Sequence, residues 1–554
     1  MILKSGETKH AIIGPIDKYM KWLSMGSYLA VAGIGVLFDA RCSRAADSPS
    51  ASAQAPNIIF FMTDQQRWDC LGVVNPHIKT PNLDRLAKQG ILFRQAVCQA
   101  PMCVPSRYAM MFGLYPSQLG VYANSDSLPD NALPTRPLPQ IMRDAGYQTA
   151  GFGKTHWREE IPSTRGFEVR AIGEPRKSVA FEAGALMIDD DNLPGLKRYF
   201  AEVAKFGPGE EGVEGYIGST TKIPLRDHRD GWVAEQCLKF LDQGVDTNRP
   251  LFLYLSFLKP HAGFNVPSKY EDLYDINTIP DVPQPPWSEE PGTHLAAYDA
   301  DPQSGDRYPE WRAAWEKMTP LERRRTTLRY YANCSWLDDY FGQVLDKLQK
   351  RGRLDNALII FTADHGEMMG ERNFRFSKYC LFDSSVRVPM ILSGPLIPES
   401  KRGTMDDRPA EHIDLVPTIT HAVGKPVNPM LPGLDLLSGR KRAGSFSEFH
   451  GGVSDPYRLA PAYMWRKADW KLILFAPGKL DDASDAKGTA KGELYHLSED
   501  PHEWNNLYQD DNYAGIRETM KTELLMHLAC AWARGPINET GIGQPVQTGK
   551  PLAK

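Results

Sequence analysis

The chain has 554 residues, of which 42% are hydrophobic and 24% charged, and a formal net charge of −4. That length supports a large core and more than one domain, while the near-neutral balance argues against a nucleic-acid binder, which would carry a basic stripe. The eight cysteines are scattered without the paired spacing of a metal knuckle.

At the N-terminus, Lys18 and Lys21 precede a mostly apolar run from Trp22 to Phe38, followed by small residues such as Ala51-Ser52-Ala53. This pattern predicts an export signal, with Met20 and Met25 as alternative starts. The run is short and glycine-rich for a stable membrane span. Cys42 would suit a lipoprotein, but Arg41 directly before it does not. Ser43 to Ala55 reads as a Ser/Ala-rich linker. Residues 1–55 are therefore expected to be signal and linker of a periplasmic or secreted protein, or of a lysosomal one in a eukaryote.

From residue 56 to about 430, strand and helix signals alternate. Asn57-Ile-Ile-Phe-Phe-Met-Thr63 is a continuous apolar run, typical of a strand covered on both faces. Asn82 to Gln89 follows Pro81 and stops at Gly90, a helix with a sensible start and end. Strands are predicted at Tyr147–Phe152, Leu251–Phe257, Ala357–Thr362 and Val388–Leu392, and helices at Tyr108–Gly113, Gly231–Gln243 and Leu328–Gln349. This alternation predicts an α/β fold with a large, mostly parallel central sheet sandwiched by helices. Phe264 to Pro320 breaks the pattern and is rich in Pro, Trp, Tyr and acidic residues. It reads as a long loop flanking the active site. From 431 to 554, paired strands at 462–467 and 470–475, a strand near 493–497 and a helix from about 513 to 534 predict a smaller α+β subdomain.

Cys103 lies where a helix begins, four residues before Arg107, a place that favours an anion. The residues alone leave two plainer readings open: a local disulfide with Cys98, or a buried apolar filler. Asp64 and Gln65 follow the strand 57–63, and Asp364 and His365 follow the strand 357–362. Parallel sheets place ligands beyond the carboxyl ends of their strands. If these strands are neighbours, three oxygen donors and one imidazole meet on one rim, a set suited to calcium or magnesium rather than structural zinc. The plainer reading is that each Asp caps the segment after it. His77 and His412 read as structural, and Ser106 lacks the flanking glycines of a nucleophile elbow.

Cys103-Val-Pro-Ser-Arg107 resembles the signature of the type I sulfatases, the formylglycine-dependent branch of the alkaline-phosphatase-like superfamily. Gly153-Lys154-Thr155-His156, Lys259-Pro260-His261, Asp364-His365-Gly366 and Ser377-Lys378-Tyr379 follow in the family's order. Glu493-Leu-Tyr, Asp500-Pro-x-Glu503 and Asn506-Leu507 resemble its C-terminal signature, and Tyr331 to Met390 is similar to the iduronate-2-sulfatase-like branch. The resemblance spans roughly 56–507. Gln65 departs from it, since many members carry a second Asp there, and phosphonate monoester hydrolases share the Asp-Gln form.

What the resemblance implies can be stated by residue. Cys103 is oxidised to formylglycine by a formylglycine-generating or equivalent maturation enzyme, and the aldehyde hydrate is the nucleophile. Asp64, Gln65, Asp364, His365 and the side chain at 103 hold a divalent ion, calcium or else magnesium. Arg107 holds the hydrate, and Lys154 and Lys378 contact sulfate oxygens. His261 or Lys378 protonates the leaving alcohol, and His156 takes the proton that lets sulfate depart. Asn124 touches the substrate or shapes a turn. The implied substrate is a sulfated sugar or polysaccharide, in keeping with the aromatic residues Trp287, Tyr298, Trp311 and Trp315, which could stack on sugar faces. A phosphonate monoester or phosphodiester hydrolase on the same scaffold is the alternative. A non-catalytic glycan-binding relative would have lost key positions, and none is lost.

Overall fold

The computed structural model describes residues 55–157, 164–174, 185–188, 197, 218–221, 223–288, 315–450, 461–476 and 492–533. The expected signal and linker, including Cys42, and the aromatic residues Tyr298 and Trp311 lie outside the described residues. No helix among the described residues is long and apolar enough to cross a membrane.

The centre is a nine-stranded sheet. In chain order its strands are β1 (Asn57–Asp64), β2 (Ile91–Phe93), β3 (Gln148–Gly153), β4 (Val169–Ile172), β5 (Leu186–Met187), β6 (Leu251–Pro260), β7 (Ala357–Ala363), β8 (Met390–Ser393) and β9 (Thr404–Asp406). Across the sheet they run β9-β2-β8-β7-β1-β6-β3-β4-β5. Every neighbouring pair is parallel except those made by β8, which is antiparallel to both β7 and β2. The expected α/β sheet is thus present, with one reversed strand inside it. An apolar strand run carries no mark of its direction, which is why the sequence does not announce the reversal.

β1 is buried along its whole length, and its side chains alternate between two cores. Ile58, Phe60 and Met62 join one hydrophobic cluster, Ile59 and Phe61 the other. That is the period of two expected of a strand covered on both faces. The helices α1 (Pro81–Lys88), α3 (Arg229–Gln243) and α4 (Pro320–Lys350) pack on the Ile59 side, through residues such as Leu86, Trp232 and Phe341. The helices α2 (Cys103–Phe112) and α5 (Leu415–Ala422) cover the Ile58 side, through residues such as Tyr108, Met111 and Val416. Helix α4 is opened by a Thr319–Glu322 capping box.

Four antiparallel strands form a second sheet in chain order: β10 (Ser445–Phe449), β11 (Ala462–Lys467), β12 (Trp470–Phe475) and β13 (Gly492–His496). Helix α6 (Ala514–Ala533) packs on it through Met520 and Leu524. The same cluster contains Ala109, Tyr115 and Ile413, so this sheet is seated directly on the end of α2 and on the segment before α5.

Candidate active site

β1 and β7 are neighbours in register, Thr63 opposite Ala363. Their carboxyl ends therefore deliver Asp64-Gln65 and Asp364-His365 to one rim, as the spacing predicts. β6 flanks β1 on its other side. A register shift between Met62 and Asp64 sets Asp64 opposite Pro260, which brings His261 to the same rim. β3 lies against β6, and Gly153 makes their close approach possible. A Cβ there would fall 1.8 Å from the Ser256 carbonyl oxygen, and its φ is +85°. Lys154 follows, its N–H bonded to that carbonyl at 2.9 Å.

Helix α2 supplies residue 103 as its first residue. The helix starts at Cys103 rather than Tyr108, because Pro105 sits in the first turn, where its missing N–H has no intrahelical partner to lose. The Asn124 side-chain oxygen accepts the Val104 N–H at 3.0 Å and fixes the start of the helix. The helix ends at Gly113 in the left-handed conformation, φ 68°. The two plainer readings of Cys103 part here. Cys98 and Cys103 are free thiols, so there is no local disulfide. Nor is Cys103 surrounded only by carbon.

Its Sγ lies 3.2 Å from His365 Nε2, 3.0 Å from Lys378 Nζ and 3.9 Å from Asp64 Oδ1. One donor atom each from Asp64, Cys103, Asp364 and His365 falls within 4.8 Å of all the others, and all four residues are buried. Arg107 donates to Asp364 Oδ2 (2.8 Å), Asp64 Oδ2 (3.3 Å), the Lys154 carbonyl (2.6 Å) and Ser256 Oγ (3.0 Å). Lys154 Nζ pairs with Asp64 Oδ2. Asp364 Oδ1 accepts the backbone N–H groups of Gln65 (2.9 Å) and His365 (3.0 Å). His365 Nδ1 faces the Gly366 carbonyl at 3.0 Å, which leaves Nε2 as the nitrogen turned toward Cys103 Sγ and available to a ligand.

The charges explain how Asp64 persists as a carboxylate without exposure. Burial alone would push the Asp64 carboxyl up, but Lys154, His261, Arg107 and Lys378 reverse this and hold it well below the usual carboxylate range. Burial and Asp64 likewise push the Cys103 thiol up, and Lys154, Lys378 and His365 outweigh them, so it ends below its ordinary value. Burial, then Lys378, drives His261 well below the usual imidazole range. Burial opposes the positive charge on Lys378, but the group at 103 and nearby acids raise its pKa above that of an ordinary lysine. The site thus gathers the cations Arg107, Lys154 and Lys378 around Asp64 and Asp364, an arrangement that favours an incoming anion. Hard oxygen donors with one imidazole suit a hard divalent cation.

The remaining expected residues are placed as follows. Gln65 is fully buried with a left-handed backbone, φ 66°. Its amide oxygen accepts from Lys378 Nζ at 2.8 Å and its nitrogen donates to Glu367. In this arrangement its amide spans Lys378 and Glu367, the latter 302 residues away in sequence. His156 follows Lys154 on the same rim, half-buried with φ 58°. His412 is structural as expected, buried between Ser106 Oγ (3.4 Å) and Thr362 Oγ1 (3.0 Å). Trp315 corrects an expectation. It is fully buried and packs edge-on against Phe376 at 4.5 Å, so its ring face is not offered to a sugar. Trp287 is half-buried, its indole N–H directed to the Trp504 carbonyl at 3.4 Å.

Glu367 is the residue that sequence reasoning misses. It is fully buried and gathers Gln65 Nε2, the Met369 N–H (3.0 Å) and the Ser377 N–H. It thereby ties the loop carrying Lys378 to the residue after β1. Its place two residues after His365 is the one available signal, and nothing local predicts its partners.

Comparison with known proteins agrees with this geometry. The family described as Sulfatase matches residues 56–425, and the family described as N-sulphoglucosamine sulphohydrolase, C-terminal, matches 370–529. The chain is 29% identical over 475 residues to a choline-sulfatase of Rhizobium meliloti, covering 82% of this chain and 83% of the relative. Among solved structures, a phosphonate monoester hydrolase from Silicibacter pomeroyi superposes with a TM-score of 0.68 at 21% identity, covering 86% of this chain and 95% of the other. A protein in complex with D-glucosamine-2-N,6-O-disulfate superposes at 0.63 and 19% identity, covering 88% of this chain and 100% of the other. The structural likenesses establish the alkaline-phosphatase-like architecture, and the match across two thirds of the sequence establishes that this chain belongs to the sulfatase family, a family of sulfuric ester hydrolases.

Proposed function

We propose that this protein is an exported sulfatase that depends on a divalent cation, carries formylglycine at position 103 and removes sulfate from a sulfated sugar. The observation that carries the reading is the convergence of Asp64, Asp364, His365 and Cys103 within 4.8 Å, flanked by Lys154 and Lys378. The two carboxylates, His365 Nε2 and the side chain at 103 would hold the cation, calcium by preference for its taste for carboxylate oxygen, with magnesium as the alternative. When bound, the ion supplies Lewis acidity toward an ester oxygen. The formylglycine supplies a hydrated aldehyde as nucleophile.

The chain's own residues do the rest. Arg107 locks both carboxylates and the start of α2 in one arrangement. Lys154 and Lys378 offset the charge of a sulfate monoanion, which would otherwise repel an anionic nucleophile. Alkoxide leaves poorly, so a proton must reach the ester oxygen. His261, which follows Pro260 on the rim, is the donor this reading assigns. Burial and Lys378 keep it neutral in the free site, and the negative charge of a bound ester works in the opposite sense, favouring its protonated form. His156 is the base that takes a proton from the side chain at 103 as sulfate departs. Asn124 acts on the nucleophile through the helix it caps.

The sugar is supported by the neighbour whose structure holds D-glucosamine-2-N,6-O-disulfate. The second reading, a phosphonate monoester or phosphodiester hydrolase, is favoured by one observation: Gln65 stands where a second acid would add negative charge. Parallel assays of a sulfate ester and a phosphodiester with one leaving group separate the two, and a greater kcat/KM for the phosphodiester sinks the first. Mass spectrometry of the tryptic peptide 95–107 tests the modification. Loss of sulfur with gain of oxygen is expected, and an intact thiol in fully active enzyme overturns it. The N-terminus of protein recovered outside the cytoplasm tests export, with cleavage expected near Ala53.

A further inference from the structure

Lys378 sits in a loop whose conformation is costly. Met369, Arg372, Asn373, Phe374, Ser377 and Tyr379 all have positive φ, between 53° and 72°. A non-glycine residue in that region is strained, and a run of them persists only where surrounding structure over-determines it. Glu367 secures the inner side of the loop, as described. The outer side is held by residues 83 or more positions away, on the second sheet and beyond it.

Lys471, on β12, is fully buried. Its Nζ donates to the Leu381 carbonyl at 3.0 Å and pairs with Asp383 Oδ1 and Glu503 Oε1, each at 2.6 Å. Glu503 Oε2 accepts the Asp383 N–H at 2.6 Å. Arg466, on β11, forks onto Asp383 with two contacts of 3.1 Å. At the other end of the loop, Arg372 donates to the Glu503 carbonyl, and its guanidinium lies 3.8 Å from the centroid of the Phe382 ring. The segment from 372 to 383 is therefore gripped at its 381–383 end by Lys471 and the Glu503 carboxylate, and at its 372 end by the Glu503 carbonyl. Lys378 lies between the grips, its ammonium 3.0 Å from the sulfur at 103.

We infer that Lys471 and Glu503 are positioning residues for Lys378: the C-terminal sheet clamps the strained loop and so holds the ammonium at the reacting position. The inference deepens the proposed function and rests on the role given there to Lys378. A buried ionic cluster that merely docked one sheet on another would stabilise the fold without aiming a side chain. The clamp differs in a measurable way, because its effect on rate must pass through Lys378.

The test is a double-mutant cycle in the full chain. Lys471→Met and Glu503→Gln are each made in wild type and in Lys378→Ala, and kcat and KM are measured with 4-nitrophenyl sulfate. In wild type each lowers kcat by about 10–100-fold, the scale of supporting contacts around a site, with KM changing by less than about threefold. In the Lys378→Ala background the same substitutions cost less than about twofold. Equal fold losses in both backgrounds overturn the inference. Where Lys471→Met shows no cooperative melt, Glu503→Gln, nearly isosteric, carries the cycle alone. Hydrogen exchange gives a readout free of activity. Amides 368–381 exchange faster in either variant while β1 and β7 stay protected, and unchanged exchange there overturns the clamp. Absence of sulfate-ester turnover in the matured wild type would sink the sulfatase reading, while the exchange result still decides the clamp.

Discussion

Two pairs of buried acids in this molecule look alike in the sequence and differ in use. Asp64 and Asp364 stand at the rim of the large sheet, and Glu411 and Asp414 lie before α5; all four are fully buried. Glu411 accepts from the Phe446 N–H (2.8 Å), the Tyr115 hydroxyl (3.0 Å) and Arg442 (3.0 Å). Asp414 accepts from the Leu434 N–H (2.7 Å), the Glu411 N–H (2.9 Å) and Arg442. Every oxygen of that pair has a partner that folding supplies, and burial raises Glu411 to about 7. At the rim, Asp64 Oδ1 has only the sulfur of Cys103, at 3.9 Å, as its recorded partner among the described residues. It points with the other donors at a common place. Asp364 is supplied on both oxygens by backbone N–H groups and Arg107. The weakly partnered acceptor at the rim is therefore Asp64 Oδ1, and such an acceptor among converging donors marks a candidate site rather than a structural cluster.

Breaking the rim gives the largest effect. Cys103→Ala or Asp64→Asn should lower kcat/KM on a sulfate ester by at least about 1,000-fold with melting temperature little reduced, since each removes a group from the reacting centre. Chelation should do the same reversibly, with activity restored by calcium. In the other cluster the outcome inverts. Arg442→Met leaves two acids without their cation and should cost about 3–5 kcal/mol of stability in denaturant melts, while kcat of the folded fraction stays near wild type. Glu367→Gln sharpens the comparison from the side. It leaves Asp64 and Asp364 in place but loosens Gln65 and the Lys378 loop, and kcat should fall about 10–100-fold.

The smallest effect is one of pH. Burial lowers His412 from 6.5 to about 3. The folded state therefore binds fewer protons than the unfolded one between those values. The stability this group contributes is complete above about 6.5 and is lost as pH falls toward 3. From pH 6.5 to 4.5 the loss is on the order of 2–3 kcal/mol. His412→Gln should flatten the fall of melting temperature over that range, and a slope equal to wild type would refute the assignment.

The strands that carry the site were legible because each is a long apolar run ended by the residues that matter. Asn57 to Thr63 before Asp64 and Ala357 to Thr362 before Asp364 are the clearest cases, and their adjacency follows from sheet topology. Strand β8 was legible as a strand at Val388–Leu392 but its reversed direction was not, and the edge strands β5 and β9 were missed, since two or three residues carry neither a period nor a partner. Among the site residues, Cys103, Arg107, Lys154 and Lys378 could be named from their motifs. Glu367 and Lys471 could not. Their roles depend on contacts 302 and 90 residues away, and a single sequence holds no record of which distant pairs meet. Trp315 was misread for the same reason: an aromatic residue in an irregular stretch gives no sign of whether it faces water or the core.

Cys103 retains only 2% of its surface in the folded chain, beneath side chains contributed by segments as far apart as 64 and 378. No second protein can close its own active site around a group so enclosed. The proposed conversion of this thiol by a maturation enzyme would therefore have to precede closure of the chain over residue 103. Under the proposed modification, a chain that closed before conversion would keep its thiol, and the aldehyde content of a preparation would then report the order of two events, conversion and closure.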